Sequence, residues 1–268
     1  MILTNHKDFN LKQTFDCGQC FRWDMNESGV FVGVAGGYVI EAFQTEKEII
    51  IDCPDEDFII EYFDLKRDYG KIKNSINKDE IIKAAIQLGG GIRLLKQEPW
   101  ETLVSFIISA NNNIPRIKKI INTLCQSYGE KIWHKGEKYY TFPSPEKLAV
   151  LTREDLAPIK SGFRDKYIID AAQKIASGRI DLSSIYNMGS DEGRHVLKQI
   201  KGVGDKVADC VLLFAYQKFD VFPKDVWIKR IITNLYNISE KDIDAFVEKK
   251  FSSLGGFAQQ YLFYFGRC

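Results

Sequence analysis

From Val30 to Cys53 the chain is a series of short runs rich in β-branched and aromatic residues. Val30–Val34, Tyr38–Phe43 and Lys47–Cys53 read as strands, with Gly36-Gly37 and Thr45-Glu46 as the turns between them. That is the pattern of a small antiparallel sheet within the first 95 residues. Beyond it the apolar positions take up helical spacing and keep it. Pro99 to Ser127 is helical in pattern, interrupted at Asn111-Asn112-Asn113-Ile114-Pro115. Ser144 followed by Pro145 reads as a helix cap and first helical residue. Further helices are expected over 165–177, 190–200, 205–217, 225–236, 240–251 and 256–265. The fold class is therefore α+β: an N-terminal antiparallel sheet domain at 1–95, then a helical region at 96–268.

Composition adds limits. Hydrophobic residues make up 45% of the 268 positions and charged residues 27%, which is ordinary for a soluble globular protein. No apolar run approaches a membrane span, and the N-terminus lacks the order of a signal peptide, so a cytoplasmic protein with reduced cysteines is expected. The net charge of +1 excludes a general nucleic-acid coat protein, but the charge is unevenly spread. Residues 1–100 carry 12 Lys and Arg against 17 Asp and Glu, whereas residues 101–230 carry 21 against 15. A polyanion would dock on that second, basic segment.

The candidate chemistry lies there, at about 195–215. An apolar helical stretch ending at Ile200 runs into Lys201-Gly202-Val203-Gly204, and a second helix begins at once with Lys206 near its start. The two glycines allow a tight turn and close approach of another backbone. The first amides of the second helix lack intrahelical partners and can donate to a phosphate. Lys201, Gly202 and Gly204 are thus candidate phosphate contacts. Lys206 is either one more cation beside the backbone or an amine nucleophile held next to it; the hairpin alone leaves both open. Cys210, four residues on, shares its face. Asp225, before Val226-Trp227-Ile228, is a good helix cap, and the same carboxylate can also face the site beside Lys206.

Five separated motifs carry a resemblance. Ile200–Cys210 followed by Pro223-Lys224-Asp225-Val226 resembles the helix-hairpin-helix/Gly-Pro-Asp DNA glycosylases. Thr14–Trp23, Ser109–Ile117, Gly162–Tyr167 and Gly256–Phe263 make the chain most similar, within that superfamily, to 8-oxoguanine DNA glycosylase/AP lyase. The resemblance implies an enzyme of base-excision repair that acts on double-stranded DNA containing 8-oxoguanine. Lys206 would be the Schiff-base nucleophile and Asp225 the carboxylate that stabilises the developing sugar cation. Gly18 would offer its carbonyl to the N7 proton that oxidised guanine has and guanine lacks. Cys210 and Phe263 would sandwich the flipped base and Gln259 would bond its edge. Asn111, Arg116 and Arg164 would hold the unpaired cytosine, with Phe163 as the wedge in the stack. Taken without the resemblance, Gln259 and Phe263 read as a solvent-facing amide beside a core aromatic, and Asn111–Asn113 as a self-bonded turn.

Two positions depart from the eukaryotic pattern: Trp227 stands where a histidine is expected near a phosphate, and Phe163 replaces a tyrosine wedge. No cofactor and no metal are expected. Cys17-x-x-Cys20 has no second pair, the histidines His6, His134 and His195 are scattered, and a C-terminal four-cysteine cluster is absent. A monomer is expected. Two rivals remain: a glycosylase of the same fold that acts on alkylated bases through water, against which Lys206 speaks, and a non-catalytic module that uses the hairpin for phosphate alone.

Overall fold

A computed structural model describes residues 1–4 and 6–267. Five antiparallel strands, β1 (Ile2–Leu3), β2 (Trp23–Met25), β3 (Phe31–Ala35), β4 (Tyr38–Gln44) and β5 (Ile49–Asp52), form one sheet in the order β1-β5-β4-β3-β2. The three central strands are those expected from the pattern. The two edge strands are too short to show alternation, and register recruits them: Ile2 pairs with Ile50 and Trp23 with Gly33. Gly36 and Gly37 both have positive φ (58° and 82°), the backbone of a two-residue turn whose twist matches the strands it joins.

The helices are α1 (Leu11–Asp16), α2 (Glu56–Tyr62), α3 (Tyr69–Ile76), α4 (Glu80–Gly89), α5 (Pro99–Ser109), α6 (Ile114–Tyr128), α7 (Pro145–Ala149), α8 (Arg153–Leu156), α9 (Asp165–Ala176), α10 (Ser190–Leu197), α11 (Asp205–Tyr216), α12 (Val226–Tyr236), α13 (Ile243–Phe251) and α14 (Gly255–Phe265). Ser144 caps α7 as expected, accepting from the Lys147 amide at 3.2 Å with Pro145 in the first turn. The expectation of unbroken helix after the sheet fails once. Strands β6 (Lys131–His134) and β7 (Glu137–Tyr140) form a separate hairpin. Its two turn residues, Lys135 and Gly136, both take positive φ, and the Ile132, Trp133, Tyr139 and Tyr140 side chains favour the pleat over a helix.

Two hydrophobic clusters hold the chain. The smaller lies under the sheet, where Phe15 stacks on Trp23 at 4.1 Å and both meet Phe63. The larger fills the helical body around α5 and α11, which pack on each other and are buried nearly all round, as a central helix must be. The clusters do not divide at one point in the chain: Cys17, Phe21, Tyr69, Ile76, Ile82 and Leu94 belong to the larger one, and α4 packs on α14. A short N-terminal loop is thereby carried into the helical body. Among the described residues no helix is long and apolar enough to cross a membrane.

The Trp23 ring packs flat over Gly33, and a Cβ there would lie 2.4 Å from Trp23 Cδ2. Overpacking of this kind costs about 1–3 kcal/mol. Gly33→Ala should therefore lower the thermal midpoint by roughly 2–10 °C in a circular-dichroism melt; an unchanged midpoint would mean that Trp23 can move aside freely.

Candidate active site

The turn between α10 and α11 is made by local bonds, from the Ile200 amide to Leu197 and from the Val203 amide to Ile200. Helix α9 then grips it twice. Gly202 takes φ +81° and lies so close to the Tyr167 ring that a Cβ would fall 2.4 Å from it. Asp170, one turn on from Tyr167, accepts the Lys201 amide at 2.8 Å and the Lys174 ammonium at 2.8 Å. Burial pushes the Asp170 carboxyl up, but the bonds from Lys174 and the Lys201 amide outweigh it and hold it below the usual carboxylate range. The side chain of Lys201 itself is exposed and only loosely paired, 3.7 Å from Asp170.

The start of α11 is open. Gly204 is its N-cap and offers no side-chain bond, and nothing lies within 4 Å of where its Cβ would be. The first-turn amides are therefore presented outward, as an anion site at a helix N-terminus requires. Lys206 rises from this turn toward the end of α5. Its Nζ donates to Ser109 Oγ at 3.3 Å and stands 5.1 Å from the centre of the Phe106 ring. Cys210 lies one turn further along α11 and is buried; burial pushes its thiol up to about 11, against the pull of the Lys206 charge and with the push of Asp209 and Asp225. A neutral sulfur wall beside a cationic amine is the result. Asp225 does cap α12: its Oδ1 accepts the Ile228 amide at 2.8 Å. It also lies near enough to Cys210 for its charge to act on the thiol. Trp227 sits exposed in the first turn of the same helix.

A second group gathers on α14. The carbonyl loop after α1 places Gly18 at φ +82°, with the position of a Cβ 3.1 Å from Phe263 Cε1. Gln259 is buried and its Oε1 has no partner among the described residues. Cys17, Cys210 and Phe263 share the larger hydrophobic cluster, which joins this group to the Lys206 group.

The third group is a rim. Asn111 follows α5 at φ +50° and is exposed, as is Arg116, whose Nη2 reaches the Lys160 carbonyl at 3.4 Å. Phe163 is 48% exposed, edge-on to Tyr167. Arg164 is different: it is 2% exposed. Its guanidinium donates to the carbonyls of Ala110, Asn111 and Ser161 at 2.8–2.9 Å. In this state it ties the loop after α5 to the loop before α9.

Cys17 and Cys20 are both buried; the Cys17 thiol donates to the Thr14 carbonyl, and burial pushes it up to about 12. The one group of described residues with metal-like spacing, Glu41, Asp52 and His134, lies instead by a surface cleft of about 530 Å³ between the sheet and the β6–β7 hairpin, which Glu41 and His134 line. The Lys135 ammonium already bridges its two carboxylates at 2.8 and 2.9 Å. Sequence reasoning missed Tyr167, Asp170, Ser109, Gln260 and Arg267. None has a local signal, because each acts on a backbone or side chain far away in the chain.

A hairpin that presents free helix amides, an amine beside it, and a rim with the exposed Phe163 ring define a helix-hairpin-helix protein of the kind that can meet an anionic backbone. Residues 104–255 match the HhH-GPD superfamily base excision DNA repair protein family, and residues 1–103 match the N-terminal domain of 8-oxoguanine DNA glycosylase. The chain belongs to the HhH-GPD superfamily and, within it, to the 8-oxoguanine DNA glycosylase/AP lyase family. An N-glycosylase/DNA lyase of Saccharomyces cerevisiae is 32% identical over 270 residues, covering 89% of this chain and 71% of its own. The 8-oxoguanine glycosylase/lyase of Clostridium acetobutylicum, solved with double-stranded DNA containing cytosine opposite 8-oxoG, is 44% identical with a TM-score of 0.94, over 99% of this chain and 94% of that one. MBOgg1, solved with a low-affinity DNA ligand, is 49% identical with a TM-score of 0.95, over 99% and 94%.

The Asp170 bond gives a pH dependence. A carboxyl held below its unfolded value stabilises the fold fully above that value, and the effect is lost as pH falls through the depressed one. Asp170→Asn should therefore melt below the wild type at pH 7, and the gap should close as the buffer falls below about pH 4. A gap independent of pH would remove the carboxylate charge as the cause.

Proposed function

We propose that this chain flips 8-oxoguanine out of duplex DNA, excises it with Lys206 as nucleophile and then nicks the strand by β-elimination. The observation that carries the reading is the placement of the Lys206 amine on the uncapped first turn of α11, between the hairpin and Ser109. Phosphate held by the Gly202–Gly204 backbone and by Lys201 would bring the sugar to that amine. A base inside a duplex cannot be reached, so it must leave the stack.

The unprotonated amine uses its lone pair to form a bond to C1′ as the bond from C1′ to the base breaks. The base takes up a proton and leaves. Loss of the amine proton and opening of the sugar ring give the Schiff base. Removal of a C2′ proton then expels the 3′ phosphate. Asp225, oriented by its bond to the Ile228 amide, places a carboxylate where positive charge grows on the sugar. The neutral Cys210 thiol and the Phe263 ring flank the base, Gly18 offers a carbonyl to N7–H, and the unpartnered Gln259 amide meets the Watson–Crick edge. Asn111 and Arg116 stand exposed on the rim to meet the cytosine left behind, with Phe163 as wedge. Arg164 supports them from beneath, and contacting the cytosine itself would require it to exchange carbonyl bonds for base acceptors.

Borohydride trapping tests the nucleophile. The wild type incubated with an 8-oxoguanine:cytosine duplex should give a covalent protein–DNA band, and Lys206→Gln should give none. Base release without a trapped band would favour water as nucleophile and the alkylated-base branch. For Asp225→Asn, affinity should stay within about threefold while the single-turnover rate drops about 10²- to 10³-fold. A near-normal rate would leave Asp225 with its capping role alone.

A further inference from the structure

Gly18 is the third in a row of residues whose carbonyls emerge at the end of α1, and α14 and the turn that follows it hold the two before it. Arg267 Nη1 donates to the Asp16 carbonyl at 3.3 Å. Gln260 Nε2 donates to the Cys17 carbonyl at 2.6 Å. The Gly18 carbonyl accepts no hydrogen bond from the described residues. On the far side Gln19 is fixed as firmly: its amide donates to the carbonyls of Thr14 and Arg93 and accepts the Leu95 amide, and Gln97 donates to its carbonyl. The backbone is therefore clamped on both sides of one free acceptor.

Gln260 is 2% exposed, on a helix face where an apolar side chain would serve packing better. A buried amide costs stability unless it is bonded, and its bond is to the peptide that leads into Gly18. Arg267 couples the same loop to the stacking ring, since its guanidinium lies 5.4 Å from the centre of Phe263 while it holds Asp16. Successive helical residues point about 100° apart, so Gln259 and Gln260 serve different sides of one helix.

We propose that Gln260 and Arg267 are positioning residues for lesion discrimination, fixing the Asp16–Cys17–Gly18 backbone so that the Gly18 carbonyl stands rigidly where N7 of the flipped base arrives. The inference rests on the reading of Gly18 as the acceptor for N7–H. Oxidised guanine presents a donor there and guanine an acceptor. A carbonyl held in place rewards the first and repels the second, whereas a peptide free to rotate turns away from the repulsion and loses the reward. A site built around one hydrogen bond discriminates only as well as its partner is held.

The test uses the unreactive Lys206→Gln background, in which affinities for 8-oxoguanine:cytosine and guanine:cytosine duplexes are measured side by side. Adding Gln260→Leu should lower the affinity ratio about tenfold, the equivalent of one lost hydrogen bond. The loss should fall on the lesion duplex while guanine-duplex affinity stays within about twofold. Arg267→Ala, at an exposed position where folding is not at risk, should lower the ratio about threefold. With Lys206 restored, both variants should nick a preformed abasic duplex at the wild-type rate, because no base is read there. An unchanged ratio in both variants, or an equal fall for both duplexes, overturns the proposal. Gly18→Ala separates the two levels of the argument. If it collapses the ratio while the clamp variants do not, the clamp alone fails. If it too leaves the ratio intact, the reading of Gly18 is what fails.

Discussion

The grip of α9 on the hairpin is the constraint on which the site depends. The Tyr167 ring lies against Gly202 where no side chain fits, and Asp170 takes the neighbouring Lys201 amide. Together they set the height and direction from which α11 begins. That start fixes three things at once: the outward amides of the first turn, the reach of Lys206 to the end of α5, and the depth of Cys210. A side chain at position 202 or a loose Lys201 would move all three, since a helix transmits a tilt at its first turn along its whole length.

The proposed chemistry calls for an amine, a neutral sulfur and a carboxylate within one small volume, and burial sorts them. Lys206 is half-buried, with the Ser109 hydroxyl and the Phe106 ring as neighbours. Cys210, one turn deeper, is kept protonated because the thiolate would be desolvated. Asp225 acts on the Cys210 thiol from the tip of another helix, and the bond that caps that helix also stops the carboxylate from turning away. The same bond that caps α12 would orient the carboxylate for the proposed chemistry.

The sheet domain contributes little area to the site, and its part in the proposed reading is one carbonyl, that of Gly18. Its own core lies under the strands, yet the Cys17–Gly18 loop leaves that core and packs with the helical body. Hydrogen bonds from α14 on one side and the buried Gln19 on the other hold the loop there. The domain thus places one loop backbone against the helical body.

Much of this was legible in the sequence. The three central strands, the Ser144 cap, the helix-hairpin-helix and the Asp225 cap rest on local rules of turn chemistry, periodicity and capping, and they stand in the structure where those rules put them. The β6–β7 hairpin was not read, because its strands are four residues each and tied to each other rather than to the main sheet. Lys206 and Cys210 declared their common face through helical spacing. What the sequence could not determine is which distant residue serves each of these positions. That Tyr167 fills the space beside Gly202, that Arg164 spends its donors on loop carbonyls, and that Gln260 holds Cys17 across 243 residues are facts of packing. They arise when elements far apart in the chain close on one another and each buried polar group must find a partner, a condition that exists only once the tertiary fold is formed.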